Sequence, residues 1–274
     1  MSDAAARPAP RRVAITGAGS GLGEAMARRF SAAGDRVAVV DVDAGRARAV
    51  AGELEATGAE AFAFSMDVRD DAGWSGLREA LDARWGGLDV LVNNAGVAAG
   101  GRLEDTPMAD WEWVIDIDLM GVVRGCHAFL PGMRARGAGH VVNIASFAGL
   151  SSVPEVAAYT VAKAAVVTLS EQLRVDLDGS GVGVSVVCPA YVRTRLLDTF
   201  RAADERQRSL AQRWMEQSEV SAEDVAQAVF DAVRERRFLV LTHPKTRWFW
   251  RYRRWAPERY HRTMARLGRR LRGG

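Results

Sequence analysis

Residues 16–23 read Thr-Gly-Ala-Gly-Ser-Gly-Leu-Gly, and this stretch decides the fold. It follows a short apolar run, Arg12–Thr16, and opens a segment of helical period, Leu22–Ala33. Glycines let a backbone approach a pyrophosphate closely, and the helix behind them offers free N–H groups and a partial positive charge. A tight strand-to-helix turn without a ligand would have a similar composition, but the strand–turn–helix context favours a dinucleotide site.

The rest of the chain repeats this alternation of short apolar runs and longer helical segments. The further runs that predict strands are Arg36–Asp41, Ala61–Ser65, Leu88–Val92, His140–Ala145, Gly183–Cys188 and Phe238–Leu241. The further segments that predict helices are Ala44–Thr57, Asp71–Trp85, Met108–Arg136 and Val156–Asp178. Most of the strands are apolar throughout, which is typical of strands covered on both faces. The pattern predicts an α/β fold with a doubly wound, seven-stranded parallel sheet and helices on both faces.

Length and composition fit one domain with a tail. The 274 residues are 48% hydrophobic and 26% charged, which excludes wholesale disorder and a disulfide-rich miniprotein. Residues 1–10 are expected to be a flexible N-terminus, 11–242 the domain and 243–274 a tail. Two cysteines cannot form a disulfide framework, so we expect a reducing, cytoplasmic compartment. The N-terminus lacks the apolar segment of a secretory signal, and the sequence has no uncharged apolar run of about 18 residues, as a membrane-spanning helix requires.

Asp41 ends the second predicted strand, 18 residues after Gly23. A carboxylate at this position can accept hydrogen bonds from both ribose hydroxyls of an adenosine and would repel a 2′-phosphate. No lysine or arginine stands beside it in the sequence, and Arg46 and Arg48 come later, on the predicted helix. The position therefore predicts NAD in preference to NADP.

Tyr159 and Lys163 are four residues apart on a predicted helix, so they share one face. An ammonium group near a phenol favours the phenolate, which lowers a pKa of about 10. Such a tyrosine can exchange a proton with an alcohol or a carbonyl. Ser146, at the end of the fifth predicted strand, adds a hydroxyl that could bind the same substrate oxygen.

Taken together, these motifs resemble the short-chain dehydrogenase/reductase family, in its NAD(P)-dependent oxidoreductase branch. The resemblance covers roughly residues 11–242. It rests on residues 16–23, Asp67-Val68, Asn93-Asn-Ala-Gly96, Ser146, Tyr159-x-x-x-Lys163 and Pro189-Ala-Tyr-Val-Arg-Thr194. It implies a single-domain Rossmann fold that interconverts a secondary alcohol and a ketone by hydride transfer.

The resemblance also implies a role for each matched residue. Tyr159 would be the general acid/base, Ser146 would orient the substrate oxygen, and Lys163 would bind the nicotinamide ribose and lower the pKa of the tyrosine. Asp67 and Val68 would flank the adenine, with Asn94 near its ribose. Val192 and Thr194 would hold the carboxamide. The expected cofactor site is thus Gly17, Ser20, Gly21, Leu22, Gly23, Asp41, Asp67, Val68, Asn94, Tyr159, Lys163, Val192 and Thr194.

One position in the long central helix departs from the family. The family usually has asparagine in an N-L-x-G segment, where it helps to hold a water that links the lysine to bulk solvent. Here the segment is Asp118-Leu-Met-Gly121. A carboxylate can still hold that water, but near the lysine it would stabilise the ammonium and weaken the lysine's pull on the tyrosine proton. We therefore add Asp118 to the catalytic set and predict an active enzyme with an alkaline-shifted pH profile.

The substrate end is predicted to be apolar. Residues flanking the matched motifs are Val97, Ala98, Phe147, Val153, Pro154, Tyr191, Leu196, Leu197 and Phe200. They favour a lipophilic alcohol or ketone, although several could simply belong to the core. Residues 193–220 break the βα alternation after the sixth strand, at a carboxyl edge where such sheets bind ligands, and are predicted to form a substrate lid. A plain surface hairpin is the alternative. Directly after this segment, Ser221-Ala-Glu-Asp224 predicts a capping box opening the next helix.

The tail is strongly basic. Residues 243–274 hold eleven Lys or Arg and one Glu, a net charge of +10, which leaves −7 for residues 1–242. Trp248, Tyr252 and Trp255 share one helical face, and a second stripe follows Pro257, so we predict two short amphipathic helices. Packing of these stripes on the body or on a neighbouring subunit is favoured, contact with a membrane surface is the alternative, and nucleic acid is not expected.

Two other functions remain open at this stage. The fold could catalyse an epimerisation or a dehydration, or it could serve a non-catalytic, NAD(H)-sensing binding protein. The four histidines and two cysteines show no metal-ligand spacing, so no metal is expected. The family commonly forms homodimers or homotetramers through its two long helices, here 108–136 and 156–178.

Overall fold

The computed structural model describes residues 9–202 and 205–273. Most of the N-terminal segment expected to be flexible, and residues 203 and 204 of the predicted lid, lie outside this range. Seven parallel strands form one sheet in the order β3-β2-β1-β4-β5-β6-β7, which confirms the predicted fold class. They are β1 Arg12–Thr16, β2 Arg36–Asp41, β3 Ala61–Ser65, β4 Val90–Asn93, β5 Gly139–Ile144, β6 Val182–Val187 and β7 Leu239–Val240.

Eleven α-helices are described. They are α1 Gly21–Ala32, α2 Ala44–Ala56, α3 Asp71–Trp85, α4 Met108–Ile115, α5 Gly121–Arg136, α6 Phe147–Ser151, α7 Ala157–Asp176, α8 Glu205–Glu216, α9 Ala222–Glu235, α10 Thr246–Trp255 and α11 Pro257–Gly273. Helix α6 had no counterpart among the predicted elements. Among the described residues no helix is both long enough and apolar enough to span a bilayer.

Two apolar layers cover the sheet. On one face α1, α2 and α9 pack together, and Phe30 meets Phe230 edge to face with ring centroids 5.4 Å apart. On the other face α3, α5 and α7 pack, and Trp74 lies 6.4 Å from Phe129. Because both faces are covered, the strands are apolar throughout, as their sequences predicted.

The order of the strands places a crevice beside β1. Strand β1 pairs with β2 on one side and with β4 on the other. The connections that follow β1 and β4 therefore run in opposite directions along the sheet. In open α/β sheets, ligands bind at such a switch point, outside the carboxyl ends of the strands. Thr16 and Asn94 therefore stand at the mouth of the predicted site.

The long central helix is interrupted. The helix predicted over 108–136 is present as α4 and α5, joined by one π-helical turn, Asp116–Met120. Such turns are rare and are frequently found at functional sites. This one carries Asp118, whose side chain has no exposed surface.

The capping box predicted at the start of α9 is confirmed. The Asp224 amide donates to the Ser221 hydroxyl at 3.1 Å, and the Ser221 amide donates to the Asp224 carboxylate at 2.9 Å. Upstream of it, the predicted lid contains a 3₁₀ turn, Arg195–Thr199, and helix α8.

The tail forms the two predicted helices, which are separated at Ala256. It packs on the body through α6. Arg253 donates a hydrogen bond to the Leu150 carbonyl and the buried Tyr260 hydroxyl donates to the Ser151 carbonyl, each at 2.5 Å. These two side chains cap the last carbonyls of a five-residue helix.

Two of the three residues in the predicted stripe of α10 do not pack on the body of this chain. Trp248 and Trp255 are 61% and 82% exposed, whereas Thr246 is buried and Trp250 packs against the core. Both faces of α10 carry aromatic rings, so residue spacing alone could not tell which face would lie against the body. The side of α10 that lies against the body is the one from which Arg253 can donate a hydrogen bond to a carbonyl at the C-terminal end of α6.

Candidate active site

A cleft of about 420 Å³ opens at the carboxyl ends of the central strands. Every residue predicted for the site lines it: Gly17, Ser20, Gly21, Leu22, Gly23, Asp41, Asp67, Val68, Asn94, Asp118, Ser146, Tyr159, Lys163, Val192 and Thr194. The structure thus brings together groups from eight segments of the chain. Their individual roles stay predictions.

The glycine loop has the geometry of a close turn. Gly17 and Gly21 have positive φ angles of 64° and 56°, where a side chain would be strained. A Cβ on Gly23 would lie 2.1 Å from the Gly17 carbonyl oxygen, so helix and loop touch backbone to backbone. Ser20 precedes α1 without capping it through its side chain, which leaves the first-turn N–H groups able to meet an anion.

Thr16 and Asn94 hold this loop against the end of β4. The Thr16 hydroxyl accepts hydrogen bonds from the Asn94 and Ala95 amides at 2.9 and 3.0 Å. The Asn94 side chain donates to the Thr16 carbonyl at 2.8 Å. Asn94 was predicted to lie near the adenosine ribose. In the structure its amide nitrogen is engaged by the loop, so the residue also positions the glycines.

Asp41 fixes the loop from the other side. Its carboxylate accepts hydrogen bonds from the Gly19 and Asp43 amides, each at 2.9 Å, and is almost fully buried. A Cβ on Gly19 would lie 2.8 Å from this carboxylate. Asp41 therefore requires a glycine at position 19, and it lines the cleft from a fixed orientation.

Arg46 is a cleft residue that the sequence analysis set aside. Asp43 caps α2 by accepting from the Gly45 and Arg46 amides, and this cap brings the first turn of α2 back towards β2. The Arg46 guanidinium consequently lies 3.6 Å from Asp41 and lines the cleft. Its Nε is buried without a hydrogen-bond partner among the described residues. Arg46 was missed because five residues separate it from Asp41 in sequence.

Asp67 and Val68 line the same end of the cleft. Arg69 pairs with Asp67 at 2.6 Å, and its hydrogen bonds hold the pKa of that carboxyl below its usual range. The indole N–H of Trp74 donates to the Val68 carbonyl at 2.9 Å. Both residues are therefore held in place from behind, by α3 and by the turn that leads into it.

Ser146, Tyr159 and Lys163 meet at the other end of the cleft. The Ser146 hydroxyl caps α6 by accepting from the Ala148 amide at 3.1 Å. The Lys163 ammonium donates to the Ile144 carbonyl at 3.0 Å and lies 5.7 Å from the centre of the Tyr159 ring. The end of β5 and one face of α7 thus present a hydroxyl, a phenol and an ammonium to the same space.

Asp118 lies directly behind this group. Its Oδ1 accepts from the Val97 amide at 2.8 Å, and its Oδ2 lies 3.1 Å from the Lys163 ammonium. Burial raises the pKa of Asp118 and the lysine opposes that rise. Burial is the largest single influence on the pKa of Lys163 and lowers it, but the charges of Asp118 and Tyr159 and the hydrogen bond to Asp118 together outweigh it, so the ammonium form is favoured overall. The carboxylate of Asp118 and the ammonium of Lys163 are therefore close enough to interact, as the predicted alkaline-shifted pH profile requires.

The surroundings of Tyr159 raise its pKa. Burial is the main cause, Asp118 adds to the rise, and Lys163 and a hydrogen bond from Ser146 oppose it. The lysine thus acts in the predicted direction, but it does not dominate. The sequence motif identifies the lysine. The cost of burying a phenolate depends instead on the residues packed around the ring, which the motif does not specify.

His243 holds the loop that carries Val192 and Thr194. Its Nδ1 accepts from the Ala190 amide at 3.2 Å and its Nε2 donates to the Tyr191 carbonyl at 3.0 Å, which fits a neutral ring protonated on Nε2. Burial lowers the pKa of His243 and favours this form. The sequence analysis weighed this histidine only as a metal ligand.

The predicted substrate wall is only partly in the cleft. Of the nine apolar residues expected there, Val97 and Leu196 line it, and Trp113 and Ile117 join them. Tyr191 instead packs its ring on Trp214 at 5.0 Å, and Phe200 is buried. The described residues contain no group of three or more side chains placed to hold a metal ion.

Comparisons with known proteins agree with this geometry. The family model described as short chain dehydrogenase matches residues 11–205. The 2-(R)-hydroxypropyl-CoM dehydrogenase of Xanthobacter autotrophicus is 40% identical over 188 residues, which cover 67% of this chain and 75% of that protein. The chain belongs to the short-chain dehydrogenase family. Other curated relatives are much longer, and the matched region spans about a third of their length.

Solved structures show the same fold. A short-chain dehydrogenase/reductase from Burkholderia phymatum in complex with NAD aligns with a TM-score of 0.84 and 38% identity, over 89% of this chain and 93% of that chain. A short-chain dehydrogenase from Sphingobium yanoikuyae in complex with NADPH aligns with a TM-score of 0.74 and 27% identity, over 87% and 91%. The two structural neighbours thus hold different nicotinamide cofactors.

Proposed function

We propose that this chain is an NAD-dependent oxidoreductase that interconverts a lipophilic secondary alcohol and a ketone. The observation that carries the proposal is the meeting of Ser146, Tyr159 and Lys163 at one end of the cleft that begins at the glycine loop. A protein that only binds a dinucleotide does not require a buried lysine ammonium close to a tyrosine phenol.

The cleft fits a dinucleotide. A Cβ at Gly19 or Gly23 would collide with Asp41 or with the Gly17 carbonyl, so these positions are kept free of side chains next to the N-terminus of α1. When bound, the nicotinamide would supply the hydride chemistry. The glycine loop would hold the pyrophosphate, Asp67 and Val68 the adenine, Lys163 the nicotinamide ribose, and Val192 with Thr194 the carboxamide.

Asp41 supports NAD over NADP. Its carboxylate faces the cleft from the end of β2, where it can accept from ribose hydroxyls and would repel a 2′-phosphate. Arg46, 3.6 Å away, offsets part of that repulsion. We therefore propose a preference for NAD, with NADP as a weaker cofactor.

Tyr159 is the proposed proton donor and acceptor. In alcohol oxidation its phenolate oxygen takes the hydroxyl proton, while Ser146 holds the same substrate oxygen. In ketone reduction the phenol gives the proton back. Because burial and Asp118 raise the pKa of Tyr159, alcohol oxidation should rise towards alkaline pH.

The substrate class rests on the walls of the cleft. Val97, Trp113, Ile117 and Leu196 give the catalytic end an apolar lining. A relative whose name describes a 2-hydroxypropyl compound supports a secondary alcohol. We propose residues 193–220 as the substrate lid, because Thr194, Leu196 and Thr199 line the cleft from that segment.

Assembly into a homodimer or homotetramer through the two long helices is also proposed. Val161 and Val175 on α7 are 49% and 71% exposed, which suits a face that a second copy covers. A cytoplasmic location stays a prediction.

The test mixes the full chain with NAD and a panel of hydrophobic secondary alcohols and follows NADH formation. Tyr159→Phe should lower kcat by about 10²–10⁴-fold while NADH binding persists, since only the proton transfer is removed. Tyr252→Phe, in the tail, is the matched control and should keep full activity. Turnover that survives Tyr159→Phe would overturn the proposal, and NADH binding without turnover on any alcohol or ketone would favour a sensing protein.

A further inference from the structure

Helix α10 has two faces with different partners. Thr246, Trp250 and Arg253 lie against the body, whereas Trp248 and Trp255 are 61% and 82% exposed. The two exposed tryptophans are seven residues apart, so they form one ridge along the side of the helix that faces away from the body. Large exposed aromatic rings in a row mark an interaction surface.

The helix that carries this ridge is anchored to the body of the protein. Hydrogen bonds from Arg253 and Tyr260 tie α10 and α11 to the end of α6. Trp248 also stacks on Tyr252, with ring centroids 5.1 Å apart, and Tyr252 contacts Tyr260 at 5.7 Å. The ring of Trp248 is therefore held, through Tyr252 and Tyr260, by contacts that also dock the tail.

Among the residues that the structure describes, the basic side chains of the tail are not paired with the acidic body. In the described part of the chain no ion pair joins a basic side chain of 245–271 to a carboxylate, although residues 1–242 carry a net charge of −7. Arg253 binds a carbonyl oxygen, and Arg254 lies 5.4 Å from the Trp250 ring centre. Docking on the body thus uses hydrogen bonds and packing, and leaves the arginines for an external anion.

We propose that α10 and α11 bind the chain to the surface of an anionic phospholipid bilayer. Trp248 and Trp255 would enter the interface at headgroup level, where tryptophan side chains concentrate, and the neighbouring arginines would meet lipid phosphates. Two rings on one straight ridge can enter the same flat surface together. Single-stranded nucleic acid needs open ring faces on which bases stack, and Tyr252 already covers one face of Trp248.

The contact with α6 places this surface at the carboxyl edge of the sheet. Helix α6 starts directly after Ser146, at the end of β5, and its last two carbonyls receive the tail. The bilayer would therefore lie at the edge of the sheet that holds the cleft.

The experiment sediments the full chain with vesicles of phosphatidylcholine alone or mixed with phosphatidylglycerol. We expect binding to the mixed vesicles only, weakening as salt is raised. Trp248→Ser with Trp255→Ser should weaken binding about tenfold or more. Arg247→Gln with Arg251→Gln should weaken it about 25-fold, since each arginine near an anionic surface contributes a factor of about 5.

The matched control removes the same charge elsewhere. Arg48→Gln with Arg78→Gln, on exposed positions of α2 and α3, should leave vesicle binding unchanged. Equal losses in the control and the tail variants, or no binding to mixed vesicles at low salt, would overturn the proposal. So would tail-dependent retention of single-stranded RNA, or tail-dependent self-association, without vesicle binding. Thermal unfolding of each variant shows that the fold is intact.

Discussion

Two buried aspartates stand at opposite ends of the cleft, and their surroundings differ. Asp41 accepts from two backbone amides, and the one cation paired with it among the described residues is the partly exposed Arg46. Asp118 accepts from one amide and lies against the buried ammonium of Lys163. Both line the cleft.

The difference teaches that the partner of a carboxylate decides what it can do. The cation nearest to Asp41 is 3.6 Å away, so its carboxylate remains able to accept hydrogen bonds from a ligand. Asp118 is paired at 3.1 Å with a lysine that itself faces Tyr159. The first aspartate acts by contact, and the second acts through the charge of its neighbour.

The largest expected effect is the loss of the buried ion pair. Asp118→Ala leaves the Lys163 ammonium buried without its counter-charge, which should lower the free energy of unfolding by about 3–5 kcal/mol. Urea denaturation measures this change. Asp116→Ala removes a half-exposed carboxylate from the same π-helical turn, where it pairs with Arg124, and should cost about 1 kcal/mol or less. Similar losses in the two variants would show that Asp118 and Lys163 are not a strongly coupled pair.

The next effect concerns the cofactor. Asp41→Asn removes the charge that favours ribose hydroxyls and repels a 2′-phosphate, so the preference for NADH over NADPH should fall about tenfold or more. Fluorescence titration with both nucleotides measures the ratio. Asp70→Asn is the control, because Asp70 is exposed, lies outside the cleft, and asparagine caps α3 equally well. An unchanged ratio in Asp41→Asn would remove this residue as the specificity determinant.

The smallest change replaces only a charge in the ion pair. Asp118 raises the pKa of Tyr159, so Asp118→Asn should lower it and move the pH profile of alcohol oxidation towards acid. The profile of kcat/KM against pH measures the shift, with Asp116→Asn as the control. A profile that stays in place would mean that Asp118 does not influence the proton on Tyr159.

Much of the fold could be predicted from local sequence. Strands β1, β2 and β3 begin and end where their apolar runs do, because turn residues bound each run. Strand β7 is shorter than its run, since of that run Leu239 and Val240 alone pair in register with β6 at the edge of the sheet. The π-helical turn at Asp118 could not be predicted from the apolar pattern. Such a turn alters the hydrogen bonding of the backbone, and it requires no particular residue types.

The site was predictable where chemistry and spacing coincide, as in Tyr159 and Lys163 on α7. It was not predictable where tertiary packing sets the contact. Arg46 reaches the cleft because Asp43 caps α2, and His243 reaches the Pro189 loop because β7 ends beside β6. The docking face of α10 depends on the carbonyls of α6, which are about a hundred residues away in sequence.

Helix α6 is clamped at both ends. It has five residues, too few to be stable alone. The Ser146 hydroxyl caps its start, and Arg253 and Tyr260 cap its end. The C-terminal helices thus brace the residue that would hold the substrate oxygen. A shortened version of the chain ending before α10 would therefore leave two carbonyls of α6 without their hydrogen-bond donors. The resulting loss of order would be transmitted to Ser146 through only about one and a half turns of helix.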